Sequence, residues 1–556
     1  MCNRPFWFRP AIFAFCLSSL PAIISGAQTP ASPQNVTQSA TSRIAGTIVN
    51  ALDGSPLARA RVSISETNNR ANSVSLITSE NGHFDFPGLN AGKFSLQGVK
   101  RGFLAAAYDQ HEQYSTAIVT GAGLDTEHLV LRLTPLATLA GKILDEAGDP
   151  VRHAQVRLYR ENKDGGLNRV SSAGFSQTDD LGAYEFPSLA PGNYFVSVEA
   201  KPWYAVHPIS GLQDGSSNRT SVVPPALDVS YPTTYYGGAT EADLAVPIPV
   251  KAADHVQIDV QLNPVPSLHL LFHVPVDQQG FSPPAFQKRV FDSQQFIQAE
   301  GMQTVGPGLF EVTGIPAGKY IVQQHDSKSG QLSRSAEMDL SHNGQELDDS
   351  VGELSGNAKL TIRLPRGEKP PKQFVVVLRD SRRQIFGQPL KADDAVEFAN
   401  LPAGKYSILF SAPNKPYSVA RAVANGIESH DHSLNVTPGA SLEVTVFLAE
   451  GVTAVEGFAK RGDKAAAGVM VILVPNDPET HLELFRRDQS DLDGSFVFLG
   501  VIPGSYTIVA LEDAWDFPWR QPDALARYLK HGQNVTIADM MQGSVRLSDP
   551  VAVQPR

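Results

Sequence analysis

The residues of this chain best suited to chemistry are aromatic, and they sit in loops. Trp203 and Tyr204 follow a strand-like segment, and Tyr231, Tyr235 and Tyr236 lie beyond them in a stretch rich in Pro, Ser and Gly. Trp515 and Trp519 stand in a second loop with Asp513, Asp516 and Arg520 close by in sequence. Flat rings stack on the apolar faces of sugars, and nearby carboxylate and guanidinium groups bond hydroxyls. The candidate ligand-binding set is therefore Trp203, Tyr204, Tyr235, Tyr236, Trp515, Asp516, Trp519 and Arg520. The competing reading is that these rings close the ends of a folded core. Trp203 lies nine residues after Tyr194, Trp515 nine after Tyr506, and Phe103 nine after Phe94, an offset that predicts a shared packing position.

Other constellations are weaker. There is no H-E-x-x-H or G-x-S-x-G, and His111-Glu112 has no second histidine at zincin spacing. No catalytic residue, cofactor or metal is assigned. Asp488, Asp491 and Asp493 precede Gly494 like half of an oxygen-ligand calcium loop, but a strand follows at once, so a plain Asp-Gly hairpin turn is expected. His430-Asp431-His432 puts two imidazoles on one side of an extended segment, and a polar loop is the expected reading.

The elements that must hold these loops come from a repeat. Its clearest copy runs from Gly182 through Tyr184, Phe186, Leu189 and Gly192 to Tyr194, with Glu185 alternating outward. Equivalent copies start at Gly82, Gly308, Asp394 and Gly494 and reach Phe94, Tyr320, Tyr406 and Tyr506. Ring pairs at i and i+2, such as Phe84 and Phe86, face the same side of a strand and enter the core together. The first glycine is expected at positive φ, and the second, at positions 92, 192, 318, 404 and 504, is expected to take special turn backbone.

Copies recur every 86 to 126 residues, too far apart for a solenoid and long enough for each unit to own a core. Alternating strands precede and follow each copy, for example 44–49, 60–64 and 129–133 in the first. In the third unit the strands between opening strand and motif are not legible. The pattern predicts an all-β chain of about five tandem seven-stranded sandwiches: 43–135, 136–265 with an insertion at 201–240, 266–350, 351–450 and 451–556. One short helix is expected, Asp523 to His531, preceded by Pro522 and ended near Gly532.

With 46 basic and 57 acidic residues in 556 the formal charge is −11, and no basic block appears, so nucleic acid is not an expected partner. Arg4 and Arg9, the apolar run from Ala11 to Ile24 and the small residues Ser25-Gly26-Ala27 read as a signal peptide over 1–27. Cys2 and Cys16 would leave with it. Residues 28–42 read as a flexible linker, and no later segment is long and apolar enough to span a membrane as a helix.

The run Thr178-Asp179-Asp180-Leu181-Gly182-Ala183-Tyr184-Glu185-Phe186, with Leu189, Pro191-Gly192-Asn193-Tyr194 and the earlier Gly148, Pro150 and Ala154-Gln155-Val156, resembles the carboxypeptidase regulatory-like domain. The resemblance covers the first, second and fifth units well and the other two weakly. It implies a transthyretin-like Greek-key sandwich, also grouped with carbohydrate-binding-like folds, and a role in binding, scaffolding or surface assembly. Related surface sandwiches form Lys–Asn isopeptide bonds; Lys142, Asn263 and Glu185 or Glu199 are the positions to inspect. The expected function is a non-catalytic exported binding protein for extracellular or cell-envelope carbohydrate, with a protein-interaction scaffold as the alternative and a hydrolase third.

Overall fold

A computed structural model describes residues 42–556 except 122, 165–166, 208–223, 274–283, 326–331, 349–351, 382–383, 414, 430–432, 480 and 540–542. The signal-like segment and His430-Asp431-His432 lie outside the described residues.

The fold is all-β, and five copies of one plan recur along the chain. Each opening strand, Ser42–Asn50, Ala137–Leu144, Val265–His273, Gly356–Arg363 and Thr453–Arg461, pairs antiparallel with its motif strand, His83–Leu89, Ala183–Leu189, Leu309–Pro316, Ala395–Leu401 and Ser495–Val501. Its other edge takes a closing strand in parallel. A second strand, such as Gln155–Asp164, pairs with the strand that follows the motif, such as Gly192–Glu199. A hairpin partner, such as Leu167–Gln177, extends this second sheet. Alternation along the strands turns one side of each sheet inward, and five separate apolar cores result.

Among the described residues the first sandwich has sheets of three and five strands, and the fifth joins nine into one hydrogen-bonded array. These numbers exceed the expected seven because connections add short strands, among them Ala106–Ala107 and Ile118–Thr120. The third unit does contain the strands its sequence hid. Ala285–Val290 turns Phe286, Lys288 and Val290 inward, and an inward lysine breaks the apolar alternation. Lys288 is only 4% exposed, and its ammonium donates to the Thr240 carbonyl at 2.7 Å and pairs with Glu241 at 3.1 Å.

The first-turn glycines are left-handed as expected, with φ of 71° at Gly82, 69° at Gly182, 68° at Gly308 and 79° at Gly494; Asp394 takes φ 58° in the same place. The second special position is not the later glycine. Gly192, Gly318, Gly404 and Gly504 sit at φ of 155° to 159°, at the edge of the extended region. The left-handed residue comes four positions earlier, at Gly88, Ser188, Gly314, Asn400 and Gly500, with φ from 60° to 84°. Here each motif strand carries one extra residue against its partner, as between the pairs Phe186↔Leu139 and Leu189↔Ala137. This is a β-bulge, which needs a residue tolerant of positive φ. The next tyrosine then closes the corner. The hydroxyls of Tyr194, Tyr320, Tyr406 and Tyr506 each donate to the carbonyl four residues back, at 2.6 to 2.7 Å. A buried hydroxyl two or more turns earlier does similar work: Thr178 donates to Val151 O at 2.7 Å and accepts from Ala154 N–H at 2.8 Å, and Thr78 and Ser490 do the same in their units.

The helix runs from Pro522 to Leu529. Pro522 lies inside its first turn, where no N–H bond is needed, and Lys530 and His531 fall beyond its last turn rather than in it. The helix buries Leu525 and Tyr528 with Phe485, Phe517 and Trp519 over the outer face of Met470–Pro475. That strand is buried on both faces, which explains its unbroken apolar run.

Candidate functional site

The loop from Leu104 to Thr116 leaves the first sandwich and docks on the fifth, almost four hundred residues away in sequence. Gln489 donates to the Asp109 carbonyl at 2.6 Å and to Thr116 Oγ1 at 2.8 Å. Ala117 N–H donates to Asp491 Oδ1 at 3.0 Å, and Leu492 N–H donates back to the Ala117 carbonyl at 3.0 Å. Lys93 reaches Asp491 Oδ2 and Ser495 Oγ, each at 2.6 Å. Gly468, at φ 73°, has no side chain because Asp109 Oδ2 comes within 2.2 Å of where a Cβ would stand.

At the centre lies Arg487, 7% exposed. It pairs with Glu112, and its guanidinium carbon lies 4.8 Å from the Tyr114 ring centroid, 4.8 Å from that of Trp519 and 5.5 Å from that of Trp515. His111 stacks on Trp515 with centroids 4.6 Å apart and planes 8° from parallel.

Beside this contact opens a cleft of about 1140 Å³ where the first, second and fifth sandwiches meet. The first sandwich contributes Tyr108, Asp109, Gln110, Glu112 and Arg132; the second contributes Arg160, Asn162 and Lys163; the fifth contributes Trp515 and Asp516. Lys163 donates to the Asp516 carbonyl at 3.0 Å, which ties the second sandwich to the fifth. The Arg160 guanidinium donates to Pro191 O at 2.8 Å, while its buried Nε has no partner. Arg556 beside Asp516 holds that carboxyl below its ordinary value. A smaller hollow of about 200 Å³ shares Glu112, Gln113 and Lys163 with the cleft and adds Arg520 and Trp519.

The eight sequence-predicted residues thus separate into two groups. Trp515, Asp516, Trp519 and Arg520 are gathered at this junction, but Trp519 is 5% exposed and presents no open face. Trp203 is 87% exposed and meets Tyr204 edge-on at 5.7 Å. Tyr204 and Tyr231 both donate to Glu146. Tyr235 is wholly buried with Tyr159, Val290 and Phe291 between the second and third sandwiches, and Tyr236 packs partly on the second core. These four do not form a coplanar platform. Nor is the nine-residue offset one packing site: Trp203 is exposed, Trp515 is stacked on His111, and Phe103 lies against the first core. Sequence reasoning missed Arg132, Arg160, Lys163 and the 104–116 loop, because only folding brings three distant segments together.

The other candidates resolve locally. Asp491 is held by Lys93, and Asp493 accepts the Ser495 N–H at 3.0 Å, so the acids before Gly494 serve a turn and a domain contact. Burial pushes the Asp488 carboxyl up to about 6, although it accepts the Val497 N–H at 2.8 Å. Lys142, Asn263 and Glu185 are exposed and Glu199 pairs with Arg157, an arrangement without the buried acid an isopeptide bond requires. Among the described residues no group of three or more His, Cys, Asp or Glu side chains is placed to hold a metal, and no helix is long and apolar enough to cross a membrane.

No curated protein matches the sequence. Among solved structures, a protein of Bacillus anthracis named TIE aligns at 15% identity over 73% of this chain and 68% of its own, with a TM-score of 0.16. The minor pilin of Streptococcus agalactiae aligns at 12% identity over 40% of this chain and 96% of its own, with a TM-score of 0.21. The major pilin subunit of Bacillus cereus aligns at 11% identity over 73% and 99%, with a TM-score of 0.14. Scores this low carry no argument about function. The family comparison is more specific, for residues 43–126 and 138–222 each match the model of the carboxypeptidase regulatory-like domain, so the first two sandwiches are similar to that domain type in tandem.

Proposed function

We propose that this chain is an exported, non-catalytic binding protein that takes a carbohydrate chain in the cleft between its first, second and fifth sandwiches. The observation that carries this reading is the cleft's lining. Donors and acceptors from three sandwiches converge on about 1140 Å³ beside Trp515. Convergent polar groups around two aromatics, Tyr108 and Trp515, suit a polyhydroxyl ligand. The lining mixes Arg132, Arg160 and Lys163 with Asp109, Glu112, Glu161 and Asp516, which favours a neutral glycan over a polyanion. A polysaccharide array with the wild type and Arg132→Ala tests this. Arg132 is exposed at the cleft, and loss of a charge-assisted hydrogen bond should weaken binding roughly tenfold. Retention of no glycan by the wild type would overturn the proposal.

A second reading, a scaffold for other proteins, is favoured by the edge strand Asn69–Ile77 of the first sandwich. No charged residue occurs from 72 to 77, and Val74 and Ile77 are 57% and 60% exposed. Edges of this kind, with charge only at Arg70 near one end, invite strand addition along the uncharged remainder.

A further inference from the structure

Five ionisable side chains alternate in a row where the second sandwich meets the third: Glu300, His207, Asp228, His269 and Glu311. His207 Nδ1 lies 3.0 Å from Asp228 Oδ1, and its Nε2 lies 3.3 Å from Glu300 Oε2 without hydrogen-bond alignment. His269 Nε2 lies 2.6 Å from Asp228 Oδ2, and its Nδ1 lies 2.7 Å from Glu311 Oε1. The Glu311 side chain is 1% exposed and that of His207 8%.

The row joins separate pieces of chain. Asp228 belongs to a strap from the second unit's insertion, and Val206 N–H bonds the Leu227 carbonyl of this strap at 2.7 Å. The strap then lays Val229–Ser230 antiparallel beside Val265–His273, and Ser267 N–H donates to the Asp228 carbonyl at 3.0 Å. His269 is on that opening strand, Glu311 is on the motif strand, and Glu300 precedes the strand Gly301–Gly306. Around them, Lys201 reaches Glu300 at 3.4 Å, Gln303 donates to Glu311 Oε2 at 3.2 Å, and Asn343 Oδ1 accepts the His269 backbone N–H at 3.1 Å.

A neutral imidazole has one N–H, yet His269 faces a carboxylate oxygen at each nitrogen. Both contacts are hydrogen bonds only when the ring is imidazolium. Three carboxylates, Glu300, Asp228 and Glu311, stand in this row, so the second proton on His269 also relieves their mutual repulsion. We propose that the row is a proton-dependent clasp holding the strap of the second sandwich on the third. Burial pulls the His269 imidazolium down, but its bonds to Glu311 and Asp228 and their charges outweigh this and set it above the ordinary value. A raised folded-state value gives closure that is complete below the ordinary histidine value, about 6.5, and is lost as pH rises through the raised value. The clasp is closed in mild acid and opens toward alkaline pH.

Hydrogen exchange of the full chain between pH 6 and pH 9, corrected for intrinsic rates, tests this. Protection of Val229, Ser230 and their partners on Val265–His273 should fall by up to tenfold per pH unit within that window, the limit for release of one proton. The strand Gly192–Glu199 should not change. His269→Gln should give low protection that no longer depends on pH. Equal wild-type protection at pH 6 and pH 9, or wild-type pH dependence in His269→Gln, would overturn the clasp. So would a carbon-13 titration of wild-type His269 at or below about 6.5, which needs no variant.

Discussion

Replacing Arg487 by alanine should release the first sandwich from the fifth. The arginine side chain is 2% exposed and pairs with Glu112, which keeps 28% exposure. Removing one partner of a buried pair costs about 3–5 kcal/mol because the other charge is stranded. Water can reach Glu112, so the lower end applies to the pair. The faces of Tyr114, Trp515 and Trp519 lose their cation as well, at roughly 0.5–1 kcal/mol each where not already counted. Together these give at least about 3 kcal/mol against docking. Tryptophan emission is a direct assay, since two of the three tryptophans beyond the leader-like segment touch this guanidinium and Trp203 does not. Urea unfolding followed by that emission should show an earlier transition in Arg487→Ala. A cycle with Glu112→Ala should return a coupling of about 1–2 kcal/mol. Arg487→Lys should recover less than half, because an ammonium cannot lie flat between rings and carboxylate. A change below about 0.5 kcal/mol with no coupling would refute the view that this contact holds the junction.

Two smaller perturbations test the repeat itself. Ser188→Gly should stabilise the second sandwich by about 1 kcal/mol in thermal unfolding, since Ser188 holds φ 62° in a bulge where three other copies use glycine. Asp488, raised to about 6 by burial, stabilises the fold fully only below the ordinary carboxylate value and loses that contribution as pH rises through about 6. Asp488→Asn, which can still accept the Val497 N–H, should therefore gain roughly 3 kcal/mol at pH 7 and little at pH 4, as read by urea midpoints at the two pH values.

The repeat made the fold legible because its information is local. Phe84 and Phe86, or Phe496 and Phe498, lie two residues apart, and strand geometry alone turns both to one side. Gly82 and Gly182 mark tight turns for the same reason. Local reasoning erred where the backbone departs from an ideal strand. The bulge at Ser188 and Asn400 leaves no apolar pattern, and the inward Lys288 interrupts one. The aromatic loops were found by residue type, but their value depends on neighbours far along the chain. Trp519 is covered by Arg487 and by a helix, Tyr235 by Phe291 of the next unit, and Trp203 by little beyond Tyr204.

Alternation and turn residues in the sequence determine five all-β cores, because each is settled by contacts within one unit. Which surfaces meet is a different matter. Lys93 with Asp491, Glu112 with Arg487, and His269 with Asp228 are pairs separated by 398, 375 and 41 positions. No periodicity relates such residues. Only the packing of whole sandwiches brings their charges within hydrogen-bond reach, and the cleft beside Trp515 exists only in that packing.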